Sequence, residues 1–360
     1  MSEKKDRVAV GMSGGVDSSV TAALLKERGY DVIGIMLRLW SEEHLGHENR
    51  CCTVDALSNA RYIAGKLDIP FYALDVKDTF RDTVVDTFIE GYKGGITPNP
   101  CLTCNRHIRW GFMFDRARAL GADYMATGHY ARLRRNGKGE VELLKGVDPR
   151  KDQSYVLHVL DQSLLQHTLL PLGDYTKDEV REMAERFQLP VAGRPDSQDL
   201  CFLGGDDYRD FLVRNDPDVE EPGPILNTAG EELGQHDGLA FFTIGQRKGL
   251  GISPPEPHYV LDKQPAKNAL IVGTREELGQ DTLIVKEVKW ISSHPPARPF
   301  PGEIKIRYTA PARAGTVYPQ EDRQAKVTFD EPLRDITPGQ AAVFYQGDLC
   351  LGGGIIQRAQ

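Results

Sequence analysis

Short apolar runs alternate with segments of helical spacing through the first half of this chain. Val8-Ala9-Val10 predicts a buried strand. Asp17 to Arg28 predicts a helix, with Val20, Ala23, Leu24 and Leu25 as its apolar positions and Gly29 just past its end. Val32 to Leu37 reads as a second strand, Asp55 to Leu67 as a helix, Phe71 to Val76 as a third strand and Phe80 to Tyr92 as a helix. The turn-rich stretch GGITPNPCLTCN separates these from a helix expected over Arg106 to Leu120 and a strand over Tyr124 to Thr127. Thr176 and Glu179 have the spacing of a capping box for a helix ending near Phe187. Strands that alternate with helices imply parallel pairing, so the expected fold class is α/β with a doubly wound parallel sheet.

The pattern changes near Gly204, where proline and glycine become frequent. Short β-like runs follow at Leu283 to Val285, Glu303 to Arg307, Ala325 to Phe329, Ala341 to Tyr345 and Gly354 to Ile356. This predicts a small central module and then a β-barrel or sandwich. The expected division is 1–204, 205–275 and 276–360. No repeat or low-complexity segment interrupts it.

Composition narrows the class. The 360 residues are 40% hydrophobic, ordinary for a globular protein of two or three domains, and no apolar run is long enough to span a membrane. The start, MSEKKDRVAV, has charge but no apolar signal core, so the expectation is cytoplasmic. A formal net charge of -8 argues against a general nucleic-acid coat protein but not against a local basic groove. Six cysteines in such a chain point to reactive, metal-binding or buried thiols more than to a disulfide framework.

The first concentration of chemistry is GMSGGVDSSV, Gly11 to Val20, at a strand-to-helix switch. Glycines let backbone N–H groups curl around an anion, and a helix N-terminus adds a favourable dipole. Ser13, Ser18 and Ser19 add hydroxyls. The stretch lacks the lysine of the GxxxxGK[ST] loop and fails the GxGxxG pattern. An ordinary glycine turn with an Asp or Ser cap is the competing reading, but paired glycines, three hydroxyls and an acid favour phosphate. The second concentration is TPNPCLTCNRHIRWG with Cys101 and Cys104, answered far downstream by Cys201 in GRPDSQDLCFLGG. Cys104 is expected just before a helix start and close to Arg106, His107 and Arg109, which favours a thiolate. A zinc site would need a second close set, for which Cys51 and Cys52 with His44 and His47 are the minority candidates. Cys350, in the β region, reads as a small buried hydrophobe.

SGGVDSS resembles the pyrophosphate loop of the N-type ATP pyrophosphatases, which cleave ATP between the α- and β-phosphates. The motifs PNPCLTCN, ATGHYAR, KDQSYVL, GRPDSQDLCF, FFTIGQRKGLGI and PGQAAVFY, in this order, resemble the tRNA-specific 2-thiouridylase family over nearly the whole chain. The resemblance implies an adenine nucleotide α-hydrolase-like domain, a small adaptor and a C-terminal β-barrel that binds tRNA. It implies ATP-dependent thiolation of the wobble uridine, with Cys104 as nucleophile and Cys201 as persulfide carrier. Gly11, Met12, Ser13, Gly14, Gly15, Val16, Asp17, Ser18, Leu37 and Gly128 would contact ATP, with Asp17 ligating Mg²⁺. Asn99, Pro100, Cys101, His129, Lys151, Asp152, Gln153, Arg307, Tyr308 and Gln340 would contact tRNA, helped by Arg247 and Lys248. Implied partners are the tRNAs for Lys, Glu and Gln and a persulfide-donating sulfur carrier or cysteine desulfurase. Cys101 keeps open an alternative, a [4Fe–4S] cluster on Cys101, Cys104 and Cys201. Two other functions also remain open: an ATP-dependent amide or C–N ligase, and a non-catalytic RNA-binding protein with a relic nucleotide fold.

Overall fold

The structure, a computed structural model, describes residues 5–42, 54–193, 200–253, 256–334 and 336–357. His44, His47, Cys51, Cys52 and the Arg194–Asp199 part of the Cys201 motif lie outside the described residues.

The first half folds around a five-stranded parallel sheet. Its strands are β1 (Arg7–Gly11), β2 (Asp31–Arg38), β3 (Phe71–Asp75) and β4 (Tyr124–Ala126). The chain then makes a hairpin, β5 (Ala131–Arg135) and β6 (Val141–Lys145), and returns to the sheet as β7 (Thr168–Leu169). The order is β3-β2-β1-β4-β7, and every pairing is parallel. Strand alternation divides the core between two faces. Val8 and Val10 pack on one side with the Val16–Glu27 and Val54–Lys66 helices. Ala9 packs on the other with Trp110, Met113 and Ala117. The loops at the C-terminal ends of the strands are the expected ligand edge of such a sheet.

Two helical runs start earlier than the sequence pattern suggests. One is continuous from Lys77 to Lys93. The other begins at Pro100 rather than near Arg106. It runs through Pro100–Thr103, a π-wound stretch Cys104–Met113, and Phe114–Ala119. Asn99 is its N-cap, accepting from the Cys101 N–H, and Pro100 fills the first helical position, where a missing N–H costs nothing.

The central module is a four-stranded sheet, order β10-β11-β8-β9, from β8 (Gly223–Leu226), β9 (Glu232–His236), β10 (Tyr259–Gln264) and β11 (Ala269–Gly273). The last part is a closed six-stranded barrel: β12 (Gln280–Trp290), β13 (Phe300–Lys305), β14 (Arg313–Gln320), β15 (Gln324–Leu333), β16 (Ala341–Gln346) and β17 (Leu349–Ile356). Antiparallel pairing of β12 with β17 closes it, which removes exposed strand edges. A sandwich is therefore ruled out. The early part of β17 also pairs with β6, so the β5–β6 hairpin of the first half extends the barrel's sheet. Cys350 lies in β17, fully buried, and burial pushes its thiol up to about 12. No described helix is long and apolar enough to cross a membrane.

Candidate active site

The loop after β1 turns tightly from the strand into the Val16–Glu27 helix. The Met12 N–H donates to the Ile35 carbonyl at 2.8 Å and ties the turn to β2. The Ser13 N–H donates to Ser18 Oγ at 3.1 Å, and the Ser18 and Ser19 hydroxyls donate to the Gly15 carbonyl. Gly14 sits at φ +74°, and a Cβ there would lie 2.4 Å from the Ala56 carbonyl oxygen, so only glycine fits. Gly15 is the N-cap and no side chain caps the following helix, whose first buried turn holds Val16 and Ser18. A Cβ on Gly128 would come within 2.9 Å of the Asp17 backbone, so the β4 end and the loop touch directly. On the other side, Gly11 faces the Met113 side chain of the Pro100 helix, 3.1 Å from where its Cβ would be.

The lysine absent from the loop arrives from elsewhere. Lys177, buried at the start of the Lys177–Arg186 helix, donates to Asp17 Oδ1 at 2.7 Å and to Oδ2 at 2.9 Å. The Tyr130 hydroxyl donates to the same Oδ1 at 2.7 Å. Both donors are held from behind. The Lys177 N–H donates to Asp148 at 3.1 Å, while Tyr130 exchanges two hydrogen bonds with Gln153, at 3.0 and 2.8 Å. Sequence reasoning missed Lys177 and Tyr130. The available signal was a lysine in the first turn of a capped helix, where the dipole disfavours a cation.

Cys104 is not in front of a helix but one turn inside it. It is buried at 9% exposure among Phe80, Phe88, Ile108, Phe202 and Phe211, and Cys201 packs at the partly buried margin of the same cluster. Leu37 is half-buried and packs against both this cluster and the sheet core. Of the nearby cations, Arg106 pairs with Glu287 of the barrel at 3.1 Å. Burial, then Arg106, lowers the pKa of His107. Arg109 donates to Asn105 Oδ1 at 3.2 Å and to His129 Nε2 at 2.9 Å. Because Arg109 can only donate, His129 accepts at Nε2, is neutral, and donates from Nδ1 to Thr127 at 2.7 Å. Burial, then the Arg109 charge, holds its pKa well below the usual histidine value. In this arrangement His129 is an interior support for Arg109 rather than a surface group.

A second convergence joins the Pro100 helix to the barrel. Asn99 lies beside Tyr155, whose hydroxyl donates to the Ala341 carbonyl at 3.0 Å and accepts from its N–H at 3.1 Å. Gln340 donates to the Thr97 carbonyl at 2.9 Å. Pro100 is buried, whereas Cys101 is exposed and close enough to Tyr308 to raise the phenol's pKa, after burial and Asp152. Tyr308 is 38% exposed, with the Lys305 ammonium 5.6 Å from its ring. Arg307 donates to Thr337 and to the Ile244 carbonyl, at the loop that carries exposed Arg247 and Lys248. Asn99, Cys101, Tyr308 and Gln340 therefore share one rim. Lys151 is half-buried, Asp152 accepts from Gly146 and Ser154, and Gln153 is turned inward to Tyr130. Among the described residues, no group of three or more His, Cys, Asp or Glu is arranged to hold a metal ion.

A parallel sheet with a glycine-rich strand-to-helix loop at its C-terminal edge, joined to a closed β-barrel, places the protein in the α/β class of HUP-domain proteins. Family models agree on each part. A tRNA methyl transferase HUP domain matches residues 6–205, a tRNA methyl transferase PRC-barrel domain matches 209–274, and an aminomethyltransferase β-barrel domain matches 280–356. The chain belongs to the tRNA-specific 2-thiouridylase family and is an enzyme of that type. It is 50% identical to the tRNA-specific 2-thiouridylase MnmA of Moorella thermoacetica, over 97% of this chain and 98% of the relative. Identity to the MnmA of Symbiobacterium thermophilum is 47%, over 98% and 92% of the two chains. For Clostridioides difficile MnmA it is 44%, over 98% of each.

Proposed function

We propose that this protein thiolates C2 of the wobble uridine of tRNA in two chemical stages, using ATP and a cysteine persulfide. In the first, the uridine O2 attacks the α-phosphorus of ATP, the Pα–O–Pβ bridge breaks, and pyrophosphate leaves into the cradle of Gly11 to Ser18. Bound Mg²⁺ would supply charge neutralisation for that leaving group. Asp17 is a suitable oxygen ligand, and Oδ2, with one donor against two at Oδ1, is the open side. In the second stage the terminal sulfur of a Cys201 persulfide attacks C2, and AMP departs with the former O2. The Cys104 thiolate then attacks the Cys201 sulfur, forming a Cys104–Cys201 disulfide and leaving the transferred sulfur on C2. A cellular thiol reductant clears the disulfide, and a persulfide donor reloads Cys201.

The observation that carries this reading is that Cys104, on the helix whose Met113 reaches the loop end at Gly11, belongs to a buried apolar cluster against whose margin the partly buried Cys201 packs. Exclusion of water there protects an activated uridine from hydrolysis. The rim of Asn99, Cys101 and Tyr308 supports a base withdrawn from the anticodon stack, with the phenol ring as stacking surface. Residues 1–204 would serve as catalytic unit, 205–275 as adaptor and 276–360 as tRNA-binding barrel. Cys101 is exposed while Cys104 is buried, which favours the persulfide route over a cluster on all three thiols. The test is mass spectrometry of tRNA incubated with ATP, Mg²⁺ and a persulfide donor. We expect replacement of one oxygen by sulfur at the wobble uridine with wild-type protein and none with Cys201→Ser. An unchanged wobble uridine with wild-type protein contradicts the reading.

A further inference from the structure

We infer that Lys177 and Tyr130 are positioning residues that neutralise and aim Asp17 of the pyrophosphate loop, anchored on the 148–153 segment. The inference rests on the proposed binding of ATP at this loop.

Three short hydrogen bonds converge on one carboxylate, two from Lys177 and one from Tyr130. The Lys177 side chain is only 6% exposed, while that of Asp17 is 34% exposed. The ammonium thus lies behind the carboxylate, and the carboxylate faces the loop. A buried lysine paired in this way fixes the rotamer of its partner and cancels its charge. Without that cation, Asp17 would be an uncompensated negative charge at a loop built for phosphates. Nucleotide-bound Mg²⁺ would then be left to offset it.

The donors do not float. The Lys177 N–H is held by Asp148, which is itself 2% exposed, and Asp148 also takes the Arg150 N–H at 3.0 Å. The Tyr130 backbone is bracketed by Gln153 on both its N–H and its carbonyl. One short segment therefore supports both groups that hold Asp17, and that segment carries Lys151 to Gln153, the proposed tRNA-contact strip. Position and charge of the loop carboxylate are set from the side where RNA would dock.

The experiment is equilibrium binding of ATP to the full-length protein, with Mg²⁺ and with EDTA, for wild type, Lys177→Met, Lys177→Arg and Tyr130→Phe. Lys177→Met should weaken metal-free ATP binding about ten-fold or more and Mg²⁺-ATP binding several-fold less than that. Lys177→Arg should restore most of the metal-free binding, and Tyr130→Phe should lose about two- to five-fold in both conditions. Thermal melts followed by circular dichroism identify variants that do not fold, in which case Lys177→Arg and Tyr130→Phe carry the test. Equal weakening with and without Mg²⁺ in folded Lys177→Met, or no weakening at all, overturns the inference and leaves ATP binding standing. Absence of ATP binding by wild type overturns the functional reading itself.

Discussion

The loop after β1 and the cluster around Cys104 both border one helical run, yet they are built by opposite means. The loop is polar, local and held by backbone: Gly14 at positive φ, the Ser13–Ser18 bond and the Met12 tie to β2 are all within a few residues or one strand. The cysteine cluster is apolar and assembled from distant segments, with Phe80, Phe88, Ile108, Phe202 and Phe211 around Cys104 and with Cys201 packed at its margin. The difference follows from the chemistry proposed for each. A leaving pyrophosphate needs dipoles and cations, whereas a persulfide and an adenylylated base need protection from water.

Substitution at the cysteines gives the largest effect. Cys201→Ser and Cys104→Ser should each lower thiolation by roughly a thousand-fold or more while leaving ATP affinity within about two-fold, since neither thiol belongs to the cradle. Sulfur incorporation into tRNA and equilibrium ATP binding check the two halves. Parallel loss of ATP binding would merge the two regions into one. Gly14→Ala gives the reverse pattern. Its Cβ would press on the Ala56 carbonyl and its φ is unfavourable, so ATP affinity should fall about ten-fold or more and stability by about 1–3 kcal/mol. Titration calorimetry and denaturant melts measure these.

Acid stability is the next largest effect. His158 is fully buried and donates from Nδ1 to the Tyr155 carbonyl, and burial brings its pKa down to about 4. A histidine depressed on folding contributes stability that is complete above its unfolded value near 6.5 and lost as pH falls toward the folded value. Stability should therefore drop between about pH 6.5 and 4, by up to about 3 kcal/mol from this residue, with His129 adding in the same direction. Urea melts across that range, with His158→Gln flattening the slope, test it. Thiol labelling gives the smallest effect. Among the described cysteines, iodoacetamide at pH 8 should modify exposed Cys101 first, Cys201 more slowly and Cys104 more slowly still. Cys350 should stay unmodified, because burial both shields it and keeps it a thiol. Peptide mapping over time reads the order.

The sheet and the loop were legible because their signals are contiguous: an apolar run, paired glycines, then helical spacing. The start of the Cys104 helix was not. TPNP reads as turn chemistry, yet Asn99 and Pro100 are a cap and a first helical residue. That shift moved Cys104 from before the helix into it and made Cys101 the exposed member of the pair. Lys177 escaped because its partner Asp17 is remote in sequence, and ion pairs of that separation leave no local pattern. The same applies to the β5–β6 hairpin, whose attachment to β17 depends on a pairing between the first and last parts of the chain. For His129 the sequence motif implied a tRNA contact but gave no sign of its partners; the fold turns the ring inward against Arg109 and Thr127.

The central claim is that activation at the loop and sulfur delivery from Cys201 are stages of one turnover. The direct measurement loads Cys201 with isotopically labelled persulfide sulfur, removes the donor, adds tRNA and ATP, and counts AMP released against label in the wobble uridine. The account predicts equal amounts of the two, no transfer without ATP, and a Cys104–Cys201 disulfide in the spent protein. Label transfer without ATP, or AMP release with the label still on Cys201, would contradict it.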